Sequence, residues 1–137
     1  MQIIKIKIPL FVILPKKTKK DKKIMLNMNV YRNLHYIIEN KCKDTFFRQI
    51  QPLLPKIKLT SFDVNFQAFK CKTKAGKIKK LDKSNVYAVL SKYFFDSLVL
   101  NKNIDDDNDC IIKTEVILPT HYLEFGSEEY AEFTLIF

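Results

Sequence analysis

Glycine is almost missing from this chain: Gly76 and Gly126 are the only two. A glycine-rich phosphate cradle of the Walker or dinucleotide-binding kind therefore has no residues to build it. Long apolar runs are missing as well, and none approaches the roughly 18 residues that a membrane-spanning helix requires. The stretch from Ile8 to Leu14 imitates the apolar part of a secretion signal. However, Lys5 and Lys7 alternate with isoleucines before it, Pro9 interrupts it, and a lysine cluster follows with no small-residue cleavage site. Read as a first strand instead, it leads us to expect a soluble, cytoplasmic protein with no membrane partner. Cysteines are few: Cys42, Cys71 and Cys110 are odd in number, form no close pair, and lie at no metal-ligand spacing from His35 or His121. Reduced, idle thiols are expected, not a disulfide framework. What is plentiful is aromatic and aliphatic material. Eleven Phe and six Tyr in 137 residues, at 47% hydrophobic composition, exclude disorder and suffice for one buried core.

Charge is abundant and unevenly spread. The chain carries +9 overall, but residues 1–83 hold 19 Lys, 2 Arg and 5 acids, or +16. Residues 84–137 hold 3 Lys and 10 acids, or −7. A basic face beside an acidic patch suits a metal-dependent enzyme acting on a polyanion: lysines hold phosphates, and carboxylates hold the cation that neutralises the reacting one. The plainer reading is compositional. Twenty-two Lys against two Arg is what a codon bias produces, and such a bias scatters lysine over any surface.

Along the chain, Gln2 to Ile8 alternates Ile4, Ile6 and Ile8 with Lys5 and Lys7, the period of a half-buried strand. Pro15 to Lys23 contains six lysines and reads as a flexible basic loop. A helix is expected from about Val30 to Leu54, ended by Pro52 and Pro55. A strand follows from about Ile57 to Lys72, with Phe62, Val64, Phe66 and Ala68 on one face; Lys72 to Lys80, around Ala75-Gly76, reads as a hairpin tip. A second helix is expected from about Asn85 to Leu100 with Ser84 as N-cap. Cys110 to Leu118 and Tyr130 to Phe137 read as final strands. The order β-α-β(β)-α-β-β predicts a single small α+β domain, a mixed sheet packed by two main helices.

The chemistry concentrates around the second helix. At 100° per residue, Asn85, Lys92 and Asp96 fall within roughly 40° of one another. They line one edge of the apolar stripe Val86, Val89, Leu90, Tyr93 and Phe94, with Asp82 just before the helix and Asp105, Asp106 and Asp107 beyond it. Each piece also has a bland reading. Asp82 complements a helix dipole, Lys92 and Asp96 are spaced for a surface ion pair, and the acidic loop is solvated or a weak calcium loop. Carboxylates on both sides of one helix, with a lysine between them, also suit a hydrated magnesium ion.

In order and spacing, these residues resemble the RusA-like Holliday junction resolvases of phages and prophages. Asp82 matches the first Asp of that family's D-x-D-N core and Asn85 its Asn. Lys92 and Asp96, in Lys92-Tyr-Phe-Phe-Asp96-Ser-Leu98, match its helical K-x-x-x-D-A-L stretch, and Asp106-Asp107 its D-D pair. The run Leu26-Asn-Met-Asn-Val-Tyr-Arg-Asn-Leu-His35 is similar to the segment before the first helix in phage members. The likeness covers about residues 24 to 110. Two departures stand out: Ser84 occupies the place of the second Asp, and about one extra helical turn separates Asn85 from Lys92. The resemblance implies a homodimeric endonuclease in the bacterial cytoplasm that resolves four-way DNA junctions with magnesium, or manganese in its place. Asp82, Asp96, Asp106 and Asp107 would hold the metal, with Ser84 and Asn85 in support. Asp82, Lys92 and Asp107 would carry the chemistry. Lys16, Lys17, Lys19, Lys20, Lys77, Lys79 and Lys80 would contact the DNA backbone. Two other readings compete: a DNA-binding protein of the same fold without cleavage, and a lysine-rich domain for a protein or RNA partner.

Overall fold

Period-two patterning and helical amphipathicity carry most of the architecture. In the computed structural model, which describes residues 1–15 and 20–137, the N-terminal alternation becomes β1 (Ile3–Ile8), burying Ile6 and Ile8 and exposing Lys5 and Lys7. Pro9 and Leu10 separate it from β2 (Phe11–Leu14), which pairs antiparallel with β3 (Lys22–Met25) as a two-stranded sheet. That hairpin brackets the lysine-rich run, and three of its lysines, Lys16, Lys17 and Lys19, lie outside the described residues.

The single helix expected over 30–54 is divided. A one-turn helix α1 (Met28–Tyr31) is capped by Asn27, whose Oδ1 accepts the Val30 N–H at 3.0 Å. After a short break, α2 (Tyr36–Ile50) begins at His35, whose Nδ1 accepts the Ile37 N–H at 3.3 Å. A 3-10 turn, Gln51–Leu53, closes it with Pro52 inside, where a missing N–H is harmless. No Pro or Gly marks the break between the helices, because side-chain caps make it.

The central strand β4 (Phe62–Cys71) starts later than expected and buries Phe62, Val64, Phe66 and Ala68 on one face, as the alternation predicts. Residues beyond Cys71 do not return as a hairpin strand; Thr73 to Lys77 close a turn around Gly76, at φ 77°, and the chain runs on without pairing into α3 (Lys83–Leu100). The N-cap of α3 is Asp82 rather than Ser84, since the Asp82 Oδ1 accepts the Asn85 N–H at 3.2 Å. An aspartate caps as well as a serine, and its charge suits the positive end of the dipole.

α3 is the crossover that returns β5 (Ile112–Ile117) parallel to β4. A short β6 (His121–Leu123) continues along the same edge, and β7 (Tyr130–Ile136) pairs antiparallel between β4 and β1. The main sheet is therefore mixed, with order β1-β7-β4-β5 and β6 beside β4. The helices cover one face. Phe94 of α3 stacks on Phe133 of β7 at 4.2 Å between centroids, and Phe66 of β4 meets the same ring at 5.1 Å. Tyr93 turns instead toward α2 and contacts Phe46 edge-on at 5.6 Å. The uncovered face carries Lys5, Lys7, Asn65, Gln67, Glu132 and Thr134. The three cysteines are free thiols.

Candidate active site

Eighteen residues make α3 about 27 Å long, and its length decides which acidic residues meet. Asp82 and Ser84 are exposed at its start, where Lys80, Lys83, Thr120 and Tyr122 line a shallow depression with them. Asp96 sits fourteen positions after Asp82, about 21 Å along the axis. There it lines a different cleft, of about 480 Å³, between α2 and α3, together with Lys43, Phe47, Tyr93, Asp106 and Asp107. The acidic loop thus reaches back to Asp96 but not to Asp82. Among the described residues no three His, Cys, Asp or Glu side chains are grouped to hold a metal ion. Within one chain, then, the carboxylates implied by the resemblance do not fit a single magnesium ion.

The loop has internal order. Asp105 is paired with Lys58 at 2.7 Å, both side chains being largely exposed. Asp106 accepts the Asp107 N–H at 2.8 Å and the Asn108 amide at 3.4 Å, and these bonds hold its carboxyl below the ordinary aspartate range. Asp96 is shifted the other way: burial dominates and the nearby Asp107 adds to it, against the attraction of Lys43 and Lys92. A carboxylate destabilised by desolvation and by a neighbouring negative charge gains most from a cation arriving beside it.

Lys92 and Asp96 do not form the expected helical ion pair. Each reaches off α3 to a different partner. The Lys92 ammonium donates to the Tyr31 hydroxyl at 2.5 Å and lies 3.9 Å from Glu39, whereas Asp96 lies 4.0 Å from Lys43. Tyr31 in turn donates to Glu39 at 2.7 Å, and Lys43 pairs with Glu39 at 3.3 Å. The Tyr31 hydrogen bond, ahead of the two lysines, keeps Glu39 ionised below the usual carboxylate range although burial opposes it. The same hydroxyl contact raises the proton affinity of Lys92. Sequence reasoning missed Tyr31, Glu39 and Lys43 as members of this group. The signal was present: Tyr31 lies in the 26–35 run, and Glu39 and Lys43 stand at helical i,i+4 spacing.

On the basic side, Lys20, Lys77, Lys79 and Lys80 are exposed, and Lys77, Lys79 and Lys80 have no carboxylate within 4.0 Å among the described residues. Lys70 and Lys72 are already paired, with Glu129 at 3.1 Å and Glu124 at 3.5 Å. No helix among the described residues is long and apolar enough to cross a membrane. Compared with known proteins, the chain matches no family model and no curated protein sequence.

Proposed function

We propose that this protein is a metal-dependent endonuclease that cuts branched DNA, as its resemblance to RusA-like resolvases implies. The observation that carries the reading is that Asp96, Asp106 and Asp107 line one cleft, with Lys43 on its wall and Lys92 one helical turn from Asp96. Because Asp82 lies at the opposite end of α3, we infer that the metal set closes across two copies of the chain. On that reading Asp82 of one copy would complete the set with Asp106 and Asp107 of the other, with Ser84 and Asn85 in support. Asp82, Asp106 and Asp107, with Asp96, would hold magnesium, or manganese in its place, which would supply charge neutralisation and a water of lowered pKa. Lys92 would stabilise the charge that develops on the phosphate. The loop lysines would hold the DNA arms through their backbones, which positions the protein by shape and not by sequence.

Incubation of the purified chain with a synthetic four-way junction, with and without magnesium, tests the reading. Paired nicks at the crossover only in the presence of metal are expected; intact junctions under both conditions would overturn it. One observation favours a second reading, a junction-binding protein without cleavage: Ser84 supplies no carboxylate where the family pattern has one. The same incubation, followed by native gel electrophoresis, separates the two, because the second predicts retained, uncut junctions.

Backbone binding by the exposed lysines makes a further quantitative expectation. Replacing Lys77, Lys79 and Lys80 by Ala should weaken binding to every DNA substrate alike. The slope of log affinity against log salt should fall by about 0.9 for each phosphate that is no longer neutralised. An unchanged slope in fluorescence-anisotropy titrations would mean these lysines are only solvated surface.

A further inference from the structure

We propose, on the nuclease reading above, that Tyr31 is the positioning residue for the Lys92 ammonium, with Glu39 orienting its hydroxyl, so that the one-turn helix α1 belongs to the active site. An isolated lysine on a helix surface samples many rotamers, because its charge rides on a flexible four-carbon stem. The Lys92 side chain is 47% exposed, so packing alone does not hold it. Hydrogen bonds do. The Tyr31 hydroxyl has one proton, and that proton goes to Glu39 at 2.7 Å, which leaves a lone pair to accept from Lys92 at 2.5 Å. The direction of this chain is fixed, since Glu39 is itself held by Lys43 at 3.3 Å and can only accept.

The ring that carries the hydroxyl is fixed as well. Tyr31 packs edge-on against Tyr93 at 6.5 Å, and Tyr93 is a buried residue of α3 braced by Phe46 of α2. Three elements thus converge on one amine. Glu39 is shared by two lysines, and Lys43 also faces Asp96 at 4.0 Å, so Glu39 is not an exclusive partner of Lys92. Ordinary salt bridging would not require a phenol between lysine and carboxylate; an arrangement that aims an ammonium would.

Tyr31→Phe tests this, because it keeps the ring against Tyr93 and removes only the hydroxyl. In the wild-type chain the Lys92 ammonium protons should exchange slowly enough to be seen by side-chain nitrogen NMR, and in Tyr31→Phe that signal should disappear. With a four-way junction and magnesium, Tyr31→Phe should lower kcat by roughly 10- to 100-fold, the cost of a misplaced group, with little change in KM. In a Lys92→Ala background, measured under single-turnover conditions, the same substitution should cost nothing further. A persistent Lys92 signal in Tyr31→Phe, or an equal loss of rate in both backgrounds, would overturn the proposal. If the wild-type chain cleaves no branched DNA, the nuclease reading fails, and the ammonium signal alone then decides whether Tyr31 holds Lys92.

Discussion

Mixing Asp82→Asn chains with Asp107→Asn chains is expected to restore magnesium-dependent nicking that neither variant performs alone. On the proposed reading each substitution removes a charged metal ligand and should cost at least about 100-fold in rate, equivalent to several kcal/mol of transition-state stabilisation. Neither should weaken junction binding, because the basic surface is untouched. Asn also caps a helix as well as Asp, so the loss in Asp82→Asn does not arise from fraying of α3. If Asp82 of one copy meets Asp107 of the other, a mixed dimer has one site with both substitutions and one with neither. Random exchange then leaves about a quarter of the sites intact. Those dimers should nick one strand of a junction without resolving it, which a denaturing gel distinguishes from paired cuts. A mixture that stays inactive, although native mass spectrometry finds mixed dimers, would place the site within one chain. Cleavage by Asp107→Asn alone at the wild-type rate would remove Asp107 from the site.

Phe133→Ala should destabilise the fold by about 3–5 kcal/mol, a large part of the whole stability of a domain this size. Phe133 is fully buried between the sheet and α3, stacked on Phe94 at 4.2 Å and in contact with Phe66 and Phe95. Truncation removes its transfer free energy and leaves a cavity among rings too rigid to collapse into it. Phe125 makes the comparison: it is 62% exposed, and its replacement by Ala should shift stability by no more than about 0.5 kcal/mol. Urea denaturation with a common m-value measures both. A loss at position 133 no larger than at position 125 would mean that the α3–sheet packing is not the core.

Local pattern was a reliable guide for β4 and α3. The alternation of Phe62, Val64, Phe66 and Ala68 predicted the buried face of β4, and the extent of α3 was legible to within two residues from its apolar stripe. The hairpin β2–β3 was not legible, because its return strand Lys22–Met25 is half lysine. Nor was the break between α1 and α2, since His35 caps α2 through a ring nitrogen and not through one of the usual capping side chains.

Composition and spacing determined, without any coordinates, that this is an α+β domain with its basic and acidic residues segregated along the chain. They also placed Asp82, Lys92, Asp96 and the acidic loop around one helix. Helical periodicity assigns residues to a face but does not measure distance along the axis. It put Asn85, Lys92 and Asp96 on one edge and left open whether the two ends of α3 meet. Only the tertiary structure decided that, by folding the acidic loop back onto the C-terminal half of α3 and leaving Asp82 about 21 Å from Asp96. The partners of Lys92 were likewise beyond the reach of sequence. Tyr31 and Glu39 stand 61 and 53 positions before it, and an 18-residue helix packed against two others brings them together through tertiary packing that no local pattern encodes.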